Sequence, residues 1–338
     1  MTRALTARRL ATGAAVSGGG VGLAFGALFA LLKEEARAAR RKVEARTAKA
    51  DPPSGDGIYG RRRGKSLVFA VLGDSSAVGL GVTHAAETPG ALIAAALTEL
   101  AERPVRLVRV AVTGAESREL AEQVDRALAE HPDVALIMIG ANDVTTLTKP
   151  AVAVRHLENA VRRLTAAGCE VVVGTCPDLG TIRPIQPPLR WVARRASRTL
   201  AAAQTIAVVE AGGRSVSLGD LLGPEFMESP AEMFSADRFH PSAEGYSAAA
   251  AALLPSVAAA LGLWDPADDA PSRARGEGVL PLAQAAVEAA DAAGTEVSGA
   301  ALAGRDRGTL GRWAQLRHRI RLFTAAPADP AVPLGGRS

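Results

Sequence analysis

The sequence predicts an α/β fold, a three-layer α/β/α sandwich around a parallel sheet. Two observations carry this expectation. Between residues 66 and 263, short apolar segments alternate with longer stretches of helical periodicity, as strand–helix–strand units do. The strand candidates are also apolar throughout rather than at every second residue, which suits strands covered on both faces. Composition agrees. Of 338 residues, 48% are hydrophobic and 22% charged, which excludes wholesale disorder, and aromatics at 4% leave the core to Ala, Val and Leu.

In chain order, the first element is a run of 23 residues without charge, Leu10 to Leu32. That length crosses a hydrocarbon core of ~30 Å as a helix. Residues 1–50 are therefore expected to form a single-pass N-terminal membrane anchor with a basic helical extension. Ala14, Gly18, Gly22, Gly26 and Ala30 recur every four residues on one helix face, a spacing that lets two membrane helices associate closely. Arg8-Arg9 ahead of the apolar run suits a twin-arginine export signal, whereas seven Lys/Arg between residues 33 and 49 favour a cytoplasmic body. The side of the membrane stays open at this level.

Residues 51–65 contain Pro52, Pro53, Gly55, Gly57 and an Arg cluster, and are expected to be a linker. Strands are then expected at 66–72, 105–112, 133–139, 170–175 and 206–209. Helices are expected near 88–102, 116–130, 151–167 and 189–203, with a last one over 242–261. Residues 264–338 follow as a linker, an Ala-rich helical stretch, a basic stretch with Trp313, Leu316, Ile320 and Phe323 on one face, and a Pro/Gly-rich tail. That apolar stripe suits either a bilayer surface or the core.

Charge is divided unevenly. Residues 1–65 carry 14 Lys/Arg against 5 acids, and residues 301–323 carry six Arg against one Asp, whereas residues 66–300 hold 18 basic and 28 acidic side chains. An acidic body with basic flanks argues against a nucleic-acid groove and for an anionic surface at the ends.

In a parallel sheet, ligands bind at the carboxyl ends of the strands. After the first strand comes Gly73-Asp74-Ser75-Ser76, a turn where backbone N–H groups can face a developing anion. After the second comes Thr113-Gly114-Ala115, whose glycine allows close backbone approach. After the third comes Gly140-Ala141-Asn142-Asp143, whose amide can donate into the same pocket. Far downstream, Asp237-Arg238-Phe239-His240-Pro241 places a carboxylate three residues from an imidazole, close enough to fix its tautomer.

In this order and at these strand ends, the four blocks resemble the SGNH/GDSL hydrolase family, over about Ser66 to Leu263. The resemblance implies that Ser75 is the nucleophile, His240 the base and Asp237 its orienting carboxylate. It further implies an oxyanion hole made of the Ser75 N–H, the Gly114 N–H and the Asn142 side chain. Two positions depart from the family: Ser76 stands where Leu is frequent, and Ala111-Val112-Thr113 lacks the Asn often found before the glycine. Asp74 and Asp143 are read as structural caps. The implied activity is a serine esterase or lipase-like hydrolase acting on a small-molecule, lipid or carbohydrate ester. An acyltransferase to a sugar or envelope polymer with the same triad, or a binding module without turnover, are the alternatives. The intact Ser, Asp and His weigh against the last.

No cofactor and no metal are expected. His84, His131, His156 and His318 have no paired ligands, and no HExxH pattern occurs. Cys169 and Cys176 flank one strand, which sets them about 20 Å apart, too far for a disulfide. Asp178 is expected to cap a loop, and the Pro- and Arg-rich stretch 181–195 to lead into a solvated helix near the site.

Overall fold

The computed structural model describes residues 52–182, 187–219, 226, 229–263, 286–287 and 296–297. Seven strands form one sheet: β1 (Gly57–Tyr59), β2 (Leu67–Gly73), β3 (Val105–Arg109), β4 (Val134–Met138), β5 (Glu170–Gly174), β6 (Arg214–Val216) and β7 (Glu296–Val297), in the order β1-β3-β2-β4-β5-β6-β7. The five central strands are mutually parallel, as the apolar runs predict. The two edges are antiparallel.

These edges are corrections to the sequence reading. The stretch 51–65, read as a linker, supplies β1, and β7 lies in the region beyond 263 that was set apart from the domain. Edge strands of two or three residues carry too short a pattern to register as strands.

The helices are α1 (Ser75–Val78), α2 (Pro89–Ala101), α3 (Leu120–Leu128), α4 (Ala141–Thr145), α5 (Pro150–Ala166), α6 (Leu189–Glu210), α7 (Pro230–Met233) and α8 (Ala243–Ala260). The strand expected at 206–209 is instead the last turn of α6. Its β-branched residues favour a strand locally, but Leu200, Ala201, Gln204, Thr205, Ala207 and Val208 form one buried helical face, and packing overrides propensity. The fifth parallel strand falls just beyond, after the Gly212 turn (φ 85°).

Strand alternation sorts the core into two layers. Phe69 and Val71 of β2 pack with Ile93 and Leu97 of α2 and with Leu253 and Val257 of α8. The intervening Ala70 and Leu72 face the other side, with Leu120 and Val124 of α3, Leu157 and Val161 of α5 and Val208 of α6. Each such fully buried aliphatic side chain contributes about 1.5–3 kcal/mol, so the central strands are firmly seated. Register then places Gly73, Met138 and Gly174 in one row along the carboxyl edge of the sheet.

Among the described residues, no helix is long and apolar enough to cross a membrane. The expected anchor over residues 10–32, its Gly18, Gly22, Gly26 stripe and the basic amphipathic stretch near 312–323 lie outside the described residues.

Candidate active site

The turn after β2 begins at Gly73, with φ 132°; a Cβ there would lie 1.9 Å from the Met138 carbonyl oxygen, so only glycine fits. Asp74 donates its N–H to that same carbonyl at 3.0 Å. Its side chain accepts from the Ser76 N–H at 2.9 Å, capping α1 as expected of an Asp at this position. Burial pushes the Asp74 carboxyl up to about 6, against the lowering effect of the bonds from Ser76. Ser75 is the first residue of α1, so its N–H has no acceptor within the helix.

Opposite Ser75 stands the turn between α7 and α8. His240 Nε2 lies 3.0 Å from Ser75 Oγ, and His240 Nδ1 lies 2.7 Å from Asp237 Oδ2. The other carboxylate oxygen of Asp237 accepts from Ser235 Oγ at 2.8 Å, from Phe239 N at 2.7 Å and from His240 N at 2.9 Å. Burial alone would raise the Asp237 carboxyl. The hydrogen bond and charge of His240, with the two backbone donors, outweigh it and hold the group at about 2. Asp237 is therefore anionic at any ordinary pH, and an anion on Nδ1 keeps the proton there and leaves Nε2 to accept from the serine. Ser75, Asp237 and His240 are all buried. The Phe239 ring meets the imidazole edge to face, with centroids 4.9 Å apart.

The remaining blocks close around this pair. Val112 N donates to the Gly73 carbonyl at 3.1 Å, which ties the second block to the turn. Gly114 adopts φ 82° with nothing within 4 Å of an added Cβ, so its conformation, rather than space, demands glycine. Asn142, in α4, donates one amide N–H to the Ala115 carbonyl at 3.0 Å. An amide carries two such hydrogens, and this bond commits one of them. Asp143 accepts from Ser117 N at 3.1 Å and from Ser117 Oγ at 2.9 Å. Burial raises its carboxyl, opposed by those Ser117 bonds. It thus ties the third block to the chain after the second, a structural role.

Several residues that hold this arrangement were not found from sequence. Gln123 of α3 grips both backbone groups of Gly73: its Oε1 accepts from the Gly73 N–H at 2.7 Å and its Nε2 donates to the Gly73 carbonyl at 3.0 Å. Gln204 of α6 joins two strand ends, donating to the Ile139 carbonyl at 3.0 Å and accepting from the Cys176 N–H at 2.8 Å. Tyr246 of α8 donates to the Leu80 carbonyl at 2.8 Å, pinning the chain after α1. A signal existed for the two glutamines. Each is a polar residue on the apolar face of its helix, between Leu120 and Ala127 in one case and Leu200 and Val208 in the other, and a buried amide must find partners.

Asp178 holds its loop as expected, accepting from the Gly180 N–H at 2.8 Å and facing Arg198 Nε at 3.1 Å and Arg194 Nε at 3.3 Å. Trp191 of α6 is 66% exposed. Cys169 and Cys176 are free and buried; burial pushes the Cys169 thiol up to about 12 and the Cys176 thiol well above its usual value, so neither supplies a thiolate. Among the described residues, no group of three or more His, Cys, Asp and Glu side chains converges on a metal position.

The model of the GDSL-like lipase/acylhydrolase family matches residues 71–248. A GDSL-like esterase of Mycobacterium tuberculosis is 44% identical over 236 residues, covering 66% of this chain and 75% of its own. Among solved structures, TesA is 24% identical with a TM-score of 0.42, over 58% of this chain and 99% of that one. A variant of Axe2, an acetyl-xylooligosaccharide esterase of Geobacillus, is 21% identical with a TM-score of 0.44, over 58% of this chain and 96% of that one.

Proposed function

The chain belongs to the GDSL-like lipase/acylhydrolase family and is an ester-cleaving hydrolase, and from that premise we propose that it works through an acyl-Ser75 intermediate. The observation that carries the proposal is the unbroken line from Asp237 through His240 to Ser75, with contacts of 2.7 and 3.0 Å. Ser75 Oγ attacks the ester carbonyl carbon while His240 Nε2 takes its proton, and the carbonyl π pair moves onto oxygen. The tetrahedral intermediate collapses, and the alcohol leaves with the proton that His240 returns. Water then attacks the acyl carbon with His240 again as base, releasing the acid and restoring the Ser75 hydroxyl. Asp237, anionic throughout, stabilises the imidazolium formed in each half.

We assign the oxyanion to the N–H groups of Ser75 and Gly114 and the free amide hydrogen of Asn142. The first is an orphan of a helix start, the second sits on a loop opened by a left-handed glycine, and the third belongs to an amide whose other hydrogen is already committed. Donors held by such bonds need no reorganisation as charge develops.

The experiment is p-nitrophenyl ester hydrolysis by the full chain beside Ser75→Ala, with fluorophosphonate labelling of both. The proposal expects Ser75-dependent hydrolysis and a label on the wild type only. Undiminished turnover in Ser75→Ala would overturn it.

A further inference from the structure

The N-terminal half of α6 carries a surface that the reaction above leaves unused. Ala193, Ser197, Leu200 and Ala201 form the buried side of the helix. On the outward side, Arg190, Trp191, Arg194 and Arg195 stand three and four residues apart and share one stripe. Trp191 is 66% exposed, and Val192 beside it 43%. No Asp or Glu occurs from residue 179 to 209, although acids outnumber bases 28 to 18 over residues 66–300. Buried Asp178 faces Arg194 at 3.3 Å. Among the described residues, no carboxylate pairs with Arg190 or Arg195. Because α6 follows β5, the stripe lies toward the carboxyl edge of the sheet. Leu189 and Ala193 pack in the cluster that Phe239 joins, and the Phe239 ring meets His240.

We propose that this stripe docks on the surface of a membrane containing anionic lipid, with Trp191 entering the interface, so that the edge of the sheet bearing Ser75 and His240 is held beside lipid. A solvent-facing indole among guanidinium groups answers a partner that is anionic and apolar together. A bilayer presents both in layers, headgroups for the cations and the acyl boundary for the ring. The aliphatic stems of the arginines lie along the same boundary while their charged ends stay among the headgroups. An extended polyanion such as nucleic acid would instead run from the stripe onto a body in which acids outnumber bases. Each arginine at an anionic surface is worth roughly fivefold in binding, so Arg190 and Arg195 together give roughly a twentyfold preference for anionic over neutral lipid. The proposal holds whichever residue is acylated, and binding rather than turnover tests it.

The test uses the full chain carrying Trp264→Phe and Trp313→Phe, which leaves Trp191 as the single tryptophan. Its emission is followed with vesicles of phosphatidylcholine, alone or in equal mixture with phosphatidylglycerol, whose acyl chains carry bromine as a quencher. The mixed vesicles are expected to shift the emission to the blue and quench it, with a docked-to-undocked ratio roughly twentyfold above that on phosphatidylcholine alone. Arg190→Gln with Arg195→Gln is expected to abolish that preference. Added salt is expected to weaken it in the unsubstituted stripe, an arm that needs neither of those two substitutions. Emission unchanged by mixed vesicles overturns the proposal, even where the chain sediments with them, because other residues then hold it. Equal quenching on both lipids, or a preference that survives the double substitution, overturns it as well. A blue shift that follows protein concentration without vesicles makes a second copy the occupant and overturns the membrane.

Discussion

Ser75 and His240, the pair we propose to react, are held in different ways. Ser75 is fixed through backbone: a glycine against the Met138 carbonyl, the Gln123 grip on that glycine, and a strand seated between two helical layers. His240 is held within its own turn, where the Asp237 carboxylate binds the imidazole, two backbone N–H groups and Ser235 at once and the Ser235 N–H donates to the His240 carbonyl at 2.9 Å. Ser75 thus inherits its position from the sheet, while His240 depends on contacts within a short turn. Substitutions at the turn should strike chemistry first. Substitutions around the turn after β2 should strike stability first.

The largest effect is expected from Asp237→Asn. The amide keeps the shape but removes the anion that keeps the proton on Nδ1, so kcat is expected to fall about 10⁴-fold, with Ser75→Ala as the floor of the assay. A loss under tenfold would mean that the imidazole is oriented by something else. Next in size is Asn142→Ala, expected to lower kcat by about 10²–10³ with KM little changed, if its second hydrogen meets the oxyanion. An equal loss in KM alone would move Asn142 from the transition state to ground-state binding.

In the turn after β2, Asp74 offers a test with a sign. Its carboxyl is held at about 6 in the folded protein, above the ~3.9 of an unfolded chain. A group raised in this way favours the fold fully below the unfolded value, and that contribution is lost as pH rises from about 4 to about 6. Asp74→Asn keeps an acceptor for Ser76 and removes the titration. Relative to wild type, the variant should therefore gain stability between pH 4 and pH 7, by up to about 3 kcal/mol. Urea unfolding at the two pH values measures this, and a gain in the opposite direction contradicts the buried-carboxyl account. Asp237 has the opposite sign, since its lowered value contributes stability above about pH 4 that is lost as pH falls through about 2. The smallest effect is expected from Gln123→Leu, which strands the buried Gly73 N–H and should cost about 1–3 kcal/mol of stability. A drop in kcat without that loss would make Gln123 part of the chemistry.

The same division explains what was legible in the sequence. Ser75, Gly114, Asn142, Asp237 and His240 stand out because the proposed chemistry demands particular residue types at strand ends and turns, and four such blocks in order are specific. The central strands were legible because burial on both faces writes continuous apolar runs. The edges β1 and β7 were not, because two or three residues leave no periodicity to detect. Residues 206–209 misled because four β-branched or small apolar residues carry a strand signal that only the buried face of the whole helix α6 corrects. Gln123 and Gln204 escaped for the opposite reason. Each acts on backbone groups about 50 or 65 residues away in sequence, and nothing local records such a partner.

A covalent acyl group on Ser75 is detectable by quenching the full chain during butyrate ester turnover, followed by mass spectrometry of the peptide around residue 75. A butanoyl adduct is expected on Ser75, and none in Ser75→Ala. An adduct on Ser76, or continued turnover in Ser75→Ala, would contradict it.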